Sequence, residues 1–141
     1  MNPILLALFA AIFWGVAAIV EKMGLLNIDP IIAVFIRSLA VTLIMVISFP
    51  LLYPGFFKAI INTDKKTLIL IVTGGVLAAF LGQLFYFKAL KIGEASRIIP
   101  VATTYPLITL IISVVYLKEE LTLFKVLGIM FITIGVWLIR H

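Results

Sequence analysis

Cysteine is absent from the 141 residues, and charge is scarce: eleven Lys and Arg, six Asp and Glu, and a single histidine, His141. Without cysteine there is no disulfide framework, no thiol nucleophile and no thiolate metal site, and the redox compartment leaves no mark. With 12% charged and 65% apolar residues and a mean hydropathy of +1.32, the composition excludes a water-soluble globule. The chain also lacks a Gly-rich phosphate loop ending in Gly-Lys-Ser/Thr, a His-Glu-x-x-His run and a dinucleotide fingerprint. Nothing therefore supports ATP-driven pumping, a catalytic metal or a bound cofactor. No acids, bases or nucleophiles cluster at a shared depth, which argues against an enzyme. A net charge of +5 would suggest nucleic acid for a soluble protein. Here the basic residues sit in short connections, where lipid headgroups are their partners and nucleic acid is not expected.

Long apolar runs fill the rest. They cover 3–20, 31–53, 67–87, 98–117 and 121–139, and only Arg37 and Lys125 carry charge inside them. Each is near the ~20 residues that a helix needs to cross ~30 Å of hydrocarbon. The reading is an all-α polytopic membrane protein: five transmembrane helices in one domain over 1–141, multi-pass in a cell membrane. No basic residue precedes the first run and it exceeds a signal-peptide core, so it is read as retained. Asn27 to Pro30 reads as a turn that opens span two, and Pro50 with Pro54-Gly55 ends that span. Residues 56–66 form the longest loop, with a short interfacial helix through Phe56, Phe57 and Ile60, and Lys65-Lys66 close it. Gly93 reads as a helix stop, and Pro100 and Pro106 predict a kink in span four.

Small residues mark where helices can meet, because lipid gives no hydrophobic drive and close backbone approach must supply the packing. Ala7, Ala11 and Gly15 are four apart on span one, Gly74, Ala78 and Gly82 repeat that spacing on span three, and Gly128 and Gly135 share a face of span five. Packing within one subunit accounts for spans one and three; span five is read as a subunit interface.

Taken in order, these residues resemble a known family. Phe13-Trp14-Gly15, Arg37, and the run from Tyr86-Phe87 through Ala89-Leu90 and Gly93 to Ala95-Ser96 are similar to a single EamA-type repeat of the drug/metabolite transporter superfamily. Pro106, Glu119-x-Leu121-Thr122 and the Gly128 and Gly135 pair extend the likeness over nearly the whole chain. The resemblance implies secondary transport of amino acids, metabolites or drugs. It also implies that this chain is one half of a ten-helix inverted-repeat transporter, completed by a second copy or by a similar five-helix chain. The alternative from another class is a noncatalytic scaffold or assembly subunit that uses its small-residue faces only for packing.

Polar residues inside a bilayer are costly and become functional candidates by default. Tyr105, Thr109, Ser113 and Tyr116 recur at spacings of 4, 4 and 3 and form one stripe on span four, with Thr103 and Thr104 beginning it. Pro106 frees a carbonyl at that depth, which favours a substrate-cavity wall; hydroxyls bonded to their own helix backbone are the plain alternative. Trp14 stands ~16 Å along span one, near the midplane, where a belt tryptophan has no place, and reads as lining the substrate cavity. Arg37, ~9 Å into span two, reads either as a snorkelling anchor or as an anion site. Gln83 and Tyr86 are secondary cavity candidates, helix-to-helix hydrogen bonding being the alternative. Glu119 and Glu120 suit the positive end of span five. Glu21, seven residues after Trp14, is the candidate proton carrier, although Lys22 beside it suggests a plain helix end.

Charge placement bears on assembly. Lys58, Lys65, Lys66, Lys118 and Lys125 fall on one side of the five spans, and Lys22, Lys88, Lys91, Arg97 and Arg140 on the other. A balanced tally sets no preferred orientation, so dual topology and an antiparallel homodimer are expected. The cargo is expected to be a small organic solute.

Overall fold

The computed structural model describes residues 2–140; Met1, the Arg140 side chain and His141 lie outside the described residues. Regular structure among them is helical throughout: α1 (Pro3–Leu25), α2 (Pro30–Leu52), α3 (Phe56–Asn62), α4 (Lys65–Gly75), a π-helical segment (Val76–Gly82), α5 (Gln83–Ile92), α6 (Ala95–Ala102), α7 (Tyr105–Tyr116) and α8 (Leu123–Arg140). The stretch from α4 through α5 makes one 28-residue apolar rod, and α6 with α7 makes one of 22 residues. Together with α1 and α2, these give four helices long and apolar enough to cross a bilayer. The fifth expected span, α8, has 18 residues. At ~1.5 Å per residue it falls a little short of ~30 Å of hydrocarbon.

Local chemistry sets most of the ends. The Asp29 carboxylate accepts the Ile31 N–H at 2.8 Å, its carbonyl takes the Ala33 N–H at 2.9 Å, and Pro30 fills the first helical position. Asp64 does the same for α4, accepting the Thr67 N–H at 3.0 Å. Lys65 and Lys66 are therefore the first turn of a helix, not the close of a loop. Pro50 does not end α2. It forfeits one N–H, and the helix runs on to Leu52, where the Tyr53 N–H reaches the Phe49 carbonyl at 2.9 Å. Gly55, at φ 86°, supplies the left-handed residue before α3. The short helix expected through Phe56, Phe57 and Ile60 is α3, and the Phe56 ring lies 6.0 Å from that of Phe49 on α2.

The π-helical segment is not foreshadowed by composition. Its wider turn brings the Leu77 carbonyl to 3.1 Å from where a Cβ on residue 82 would sit, so Gly82 is a glycine for the sake of its own helix. A Cβ at Gly15, Gly74, Gly128 or Gly135 would meet open space.

The chain divides into two compact units, Glu21–Lys91 and the residues up to Val20 with those from Ile92 onward. In Glu21–Lys91 the buried apolar side chains are Leu25, Pro30, Val34, Phe87 and Leu90. The Lys22 ammonium donates to the Leu90 carbonyl at 2.5 Å and the Lys91 carbonyl at 3.3 Å, closing the last turn of α5. Lys91 in turn donates to the Ile28 carbonyl at 2.7 Å. Two lysines thus tie α1, the turn before α2, and α5 at one end of this unit. Such charge-assisted bonds are worth ~1.5–3 kcal/mol each where lipid removes competing water.

In the other unit α6 packs on α8, and Ala18 and Ser113 are buried. Beyond α7, Lys118 takes a left-handed φ of 54° and the Glu119 N–H turns back to the Ser113 carbonyl at 3.2 Å. Thr122 then starts α8, its Oγ1 accepting the Lys125 N–H at 3.3 Å. Glu119 and Glu120 precede the helix and do not sit in its first turn. Most large apolar side chains of both units stay exposed, as a surface meeting hydrocarbon or another chain requires.

Candidate functional site

Within the unit of α6 to α8, the joint between α6 and α7 is built by Pro106. It has no N–H for the Ala102 carbonyl, α6 ends there, and the chain passes through Thr103 and Thr104 before α7 resumes. The Thr103 and Thr104 hydroxyls donate to the Pro100 and Val101 carbonyls at 2.9 and 2.8 Å. Both hydroxyls thus bond carbonyls of their own helix one turn back, the plain alternative for a mid-span threonine.

The rest of the stripe is placed differently. Tyr105, Thr109 and Ser113 line one groove of about 490 Å³, whose opposite wall on α8 is Lys125, Gly128 and Ile132. Gly128 leaves the wall open because it has no Cβ. Leu110 lines the groove as well, beside the stripe of hydroxyls. Ser113 is only 7% exposed and its Oγ donates to the Leu110 carbonyl at 3.1 Å, so Thr109 presents the more accessible hydroxyl. Tyr116 is 80% exposed and is not among the lining residues. At the end of the groove the Lys125 ammonium stands 3.7 Å from the Glu119 carboxylate and donates to the Glu120 carbonyl at 2.9 Å. The sequence reading does not pair these two; five residues of turn and first helical turn separate them, which is the available signal.

A second feature lies within Glu21–Lys91. Arg37 Nε donates to Glu21 Oε1 at 3.0 Å, with the arginine side chain 41% exposed and the glutamate 19%. Both line a groove of about 320 Å³ with Gly24, Leu25, Ile28 and Ile36. The structure therefore joins two residues that had been weighed separately. Matching distance along the chain could have found them, since each stands one to two turns from the 26–29 turn. Gln83 opens α5 half-buried, and the half-buried Tyr86 ring lies 6.0 Å from Phe87. Trp14, on α1, is 67% exposed. Among the described residues no group of three or more His, Cys, Asp or Glu is placed to hold a metal ion.

Residues 1–140 match the model of the EamA-like transporter family. The chain belongs to that family. This EamA-like chain is 34% identical over 141 residues to the uncharacterized protein MJ1333.1 of Methanocaldococcus jannaschii, covering 98% of this chain and 96% of that one. An uncharacterized transporter of Archaeoglobus fulgidus is 30% identical over 139 residues, covering 99% of this chain but 48% of its own length. A probable 4-amino-4-deoxy-L-arabinose-phosphoundecaprenol flippase subunit ArnF of Serratia proteamaculans is 35% identical over 80 residues, 51% of this chain and 57% of that one. No solved structure matches the chain. An EamA-like chain with several bilayer-length apolar helices is a membrane transporter by family, and its helices are those of a polytopic membrane protein.

Proposed function

We propose that this chain is one subunit of a secondary transporter for small organic solutes in the cell membrane, acting by alternating access as a dimer, with α8 supplying the fifth crossing. The observation that carries the reading is the groove in which Tyr105, Thr109 and Ser113 face the bare backbone of Gly128. A run of hydroxyls opposite a glycine, beside a proline-broken helix, gives hydrogen-bonding groups and room for a solute at membrane depth. The chain matches about half the length of the Archaeoglobus relative, and a dimer would bring together two such halves. The Serratia relative, named a subunit, supports the same assembly. Trp14, Gln83, Tyr86 and Thr103 are further solute-contact candidates, each to be tested singly.

Purified protein reconstituted into liposomes and assayed over a panel of labelled metabolites tests this reading. Solute accumulation that Thr109→Val abolishes without loss of folding supports it. A scaffold subunit moves nothing in the same assay, whichever solute is offered. Crosslinking in the native membrane distinguishes a second copy from a nonidentical partner.

A further inference from the structure

We propose that the Arg37 groove binds the phosphodiester headgroup of an anionic membrane lipid, a role separate from solute passage along α7 and α8. The Glu21 carboxylate engages only Nε of Arg37, from the less exposed side of the pair. Among the described residues Nε is the guanidinium nitrogen with a hydrogen bond, and in a side chain 41% exposed this leaves the two terminal nitrogens as a planar fork, the geometry that pairs bidentately with phosphate oxygens. Depth suits a headgroup. Arg37 begins ~10 Å along α2 from Pro30, and a side chain reaching back toward the helix end brings its charge to the boundary where lipid phosphates lie.

The surroundings favour an anion attached to an acyl chain. Lys91 holds the Ile28 carbonyl at 2.7 Å, and Ile28 lines the groove, so a second cation stands at its edge. Lys22, fixed to the Leu90 carbonyl, adds a third at the same end of the unit. Three cations against Glu21 and Asp29 leave this end net positive. Gly24 contributes no side chain, and a Cβ there would meet open space, which leaves room for a phosphate group beside Arg37. The remaining wall is apolar: Ile36, 52% exposed, and Ile28 continue the groove as a surface on which a hydrocarbon chain can lie. Basic pockets between membrane helices are recurrent headgroup sites, and here the cation, the cleft and the apolar wall occur together.

The test uses the full chain in detergent, stripped of lipid and titrated with phosphatidylglycerol or phosphatidylcholine, with bound lipid counted by native mass spectrometry. Phosphatidylglycerol is expected to bind at least about tenfold more tightly, and Arg37→Gln to remove that preference. Glu21→Gln, which frees Nε but leaves the fork, is expected to retain it, separating the site from the mere integrity of the ion pair. Where Arg37→Gln fails to fold, Arg37→Lys serves instead: it keeps the charge, loses the fork and is expected to reduce the preference severalfold. Equal affinity for the two lipids in the unmodified chain overturns the proposal. So does an undiminished preference in the folded arginine variants, or displacement of phosphatidylglycerol by inorganic phosphate at equal concentration, which would mark a site for the free anion.

Discussion

Arg37 on α2 donates from Nε to the carboxylate of Glu21 on α1 at 3.0 Å, and each residue thereby supplies the reason the other can sit inside an apolar span. Removing one partner leaves the other's charge unpaired in a partly covered groove. Arg37→Leu is expected to lower stability by about 1–3 kcal/mol, the buried-pair cost of ~3–5 kcal/mol discounted for the exposure of the arginine. The Glu21→Gln and Arg37→Leu double variant should lose less than the sum of the singles. Thermal unfolding of all four proteins in one detergent measures the coupling, and strict additivity would show that the pair contributes nothing.

The same pair constrains any coupling role for Glu21. A carboxylate engaged by a guanidinium must release it to take up a proton, so a coupling step through Glu21 has to move Arg37 as well. If transport is driven by a proton gradient through this residue, Glu21→Gln should exchange solute but no longer concentrate it. Accumulation with an unchanged response to a collapsed gradient would retire Glu21 as the carrier.

Cysteines introduced into this cysteine-free chain can map the groove. Thr109→Cys and Tyr105→Cys should react readily with water-soluble thiol reagents, Ser113→Cys more slowly because that position is nearly covered, and Leu110→Cys measurably because it lines the same groove. Ile108→Cys and Ile111→Cys, exposed but outside the groove, should face lipid and react least. Equal protection at all six positions would remove α7 from any aqueous wall.

What the sequence made legible was whatever depends on single residues and their neighbours. Hydropathy located the apolar helices, Asp29-Pro30 located the start of α2, and Pro106 located the break between α6 and α7. The stripe was readable because helical spacing puts Tyr105, Thr109 and Ser113 on one side. Contacts between helices were not readable in the same way. Spacing cannot say that Glu21 meets Arg37, that Lys22 and Lys91 bind carbonyls of other elements, or that Leu110 turns toward α8. The π-helical segment escaped for a related reason: Val, Leu, Ala, Phe and Gly are equally ordinary in an α-helix, and only the position of the Leu77 carbonyl reveals the wider turn.

That segment gives a contrast between glycines eight residues apart. Gly82→Ala places a methyl 3.1 Å from the Leu77 carbonyl, a backbone atom that cannot swing aside, so the π turn must open or rearrange. Gly74→Ala meets nothing and removes a helix-interior glycine. The first substitution should lower the melting temperature; the second should leave it unchanged or raise it, alanine being favoured by up to ~1 kcal/mol in a helix. Equal effects would mean that the wider turn does not govern this position.

The cap of α4 carries a pH signature. Hydrogen bonds from Thr67 hold the Asp64 carboxyl below its ordinary value of 3.8, so folding favours its ionised form. That contribution is fully present above the unfolded value and is lost as pH falls through the lower folded value. Asp64→Ala should therefore melt earlier than the unmodified protein at pH 6, and the two should converge at pH well below 4. A gap that persists undiminished in acid would assign the effect to something other than the ionised cap.

Assembly follows from charge and parity. If α8 makes a fifth crossing, as proposed, the two ends of the chain would lie on opposite sides, and one copy would become the inverted repeat of another simply by inserting the other way up. Orientation is set by the difference in Lys and Arg between the sides, and here the tally is Lys58, Lys65, Lys66, Lys118 and Lys125 against Lys22, Lys88, Lys91, Arg97 and Arg140. Several of these are engaged within the chain, Lys22 and Lys91 on one side and Lys125 on the other, but engagement does not change the sign they present to the inserting membrane. The open backbone at Gly128 and Gly135 on α8 offers a face against which a second helix can pack closely. Labelling of the C-terminus in intact cells and in inverted vesicles should then find two populations of similar size. Adding two lysines to the connection between α2 and α4 should drive most chains into one orientation and abolish transport by the homodimer, while co-expression with a variant biased the opposite way should restore it. A single orientation for the unmodified chain would exclude the antiparallel homodimer and leave a parallel oligomer or an opposite-facing partner.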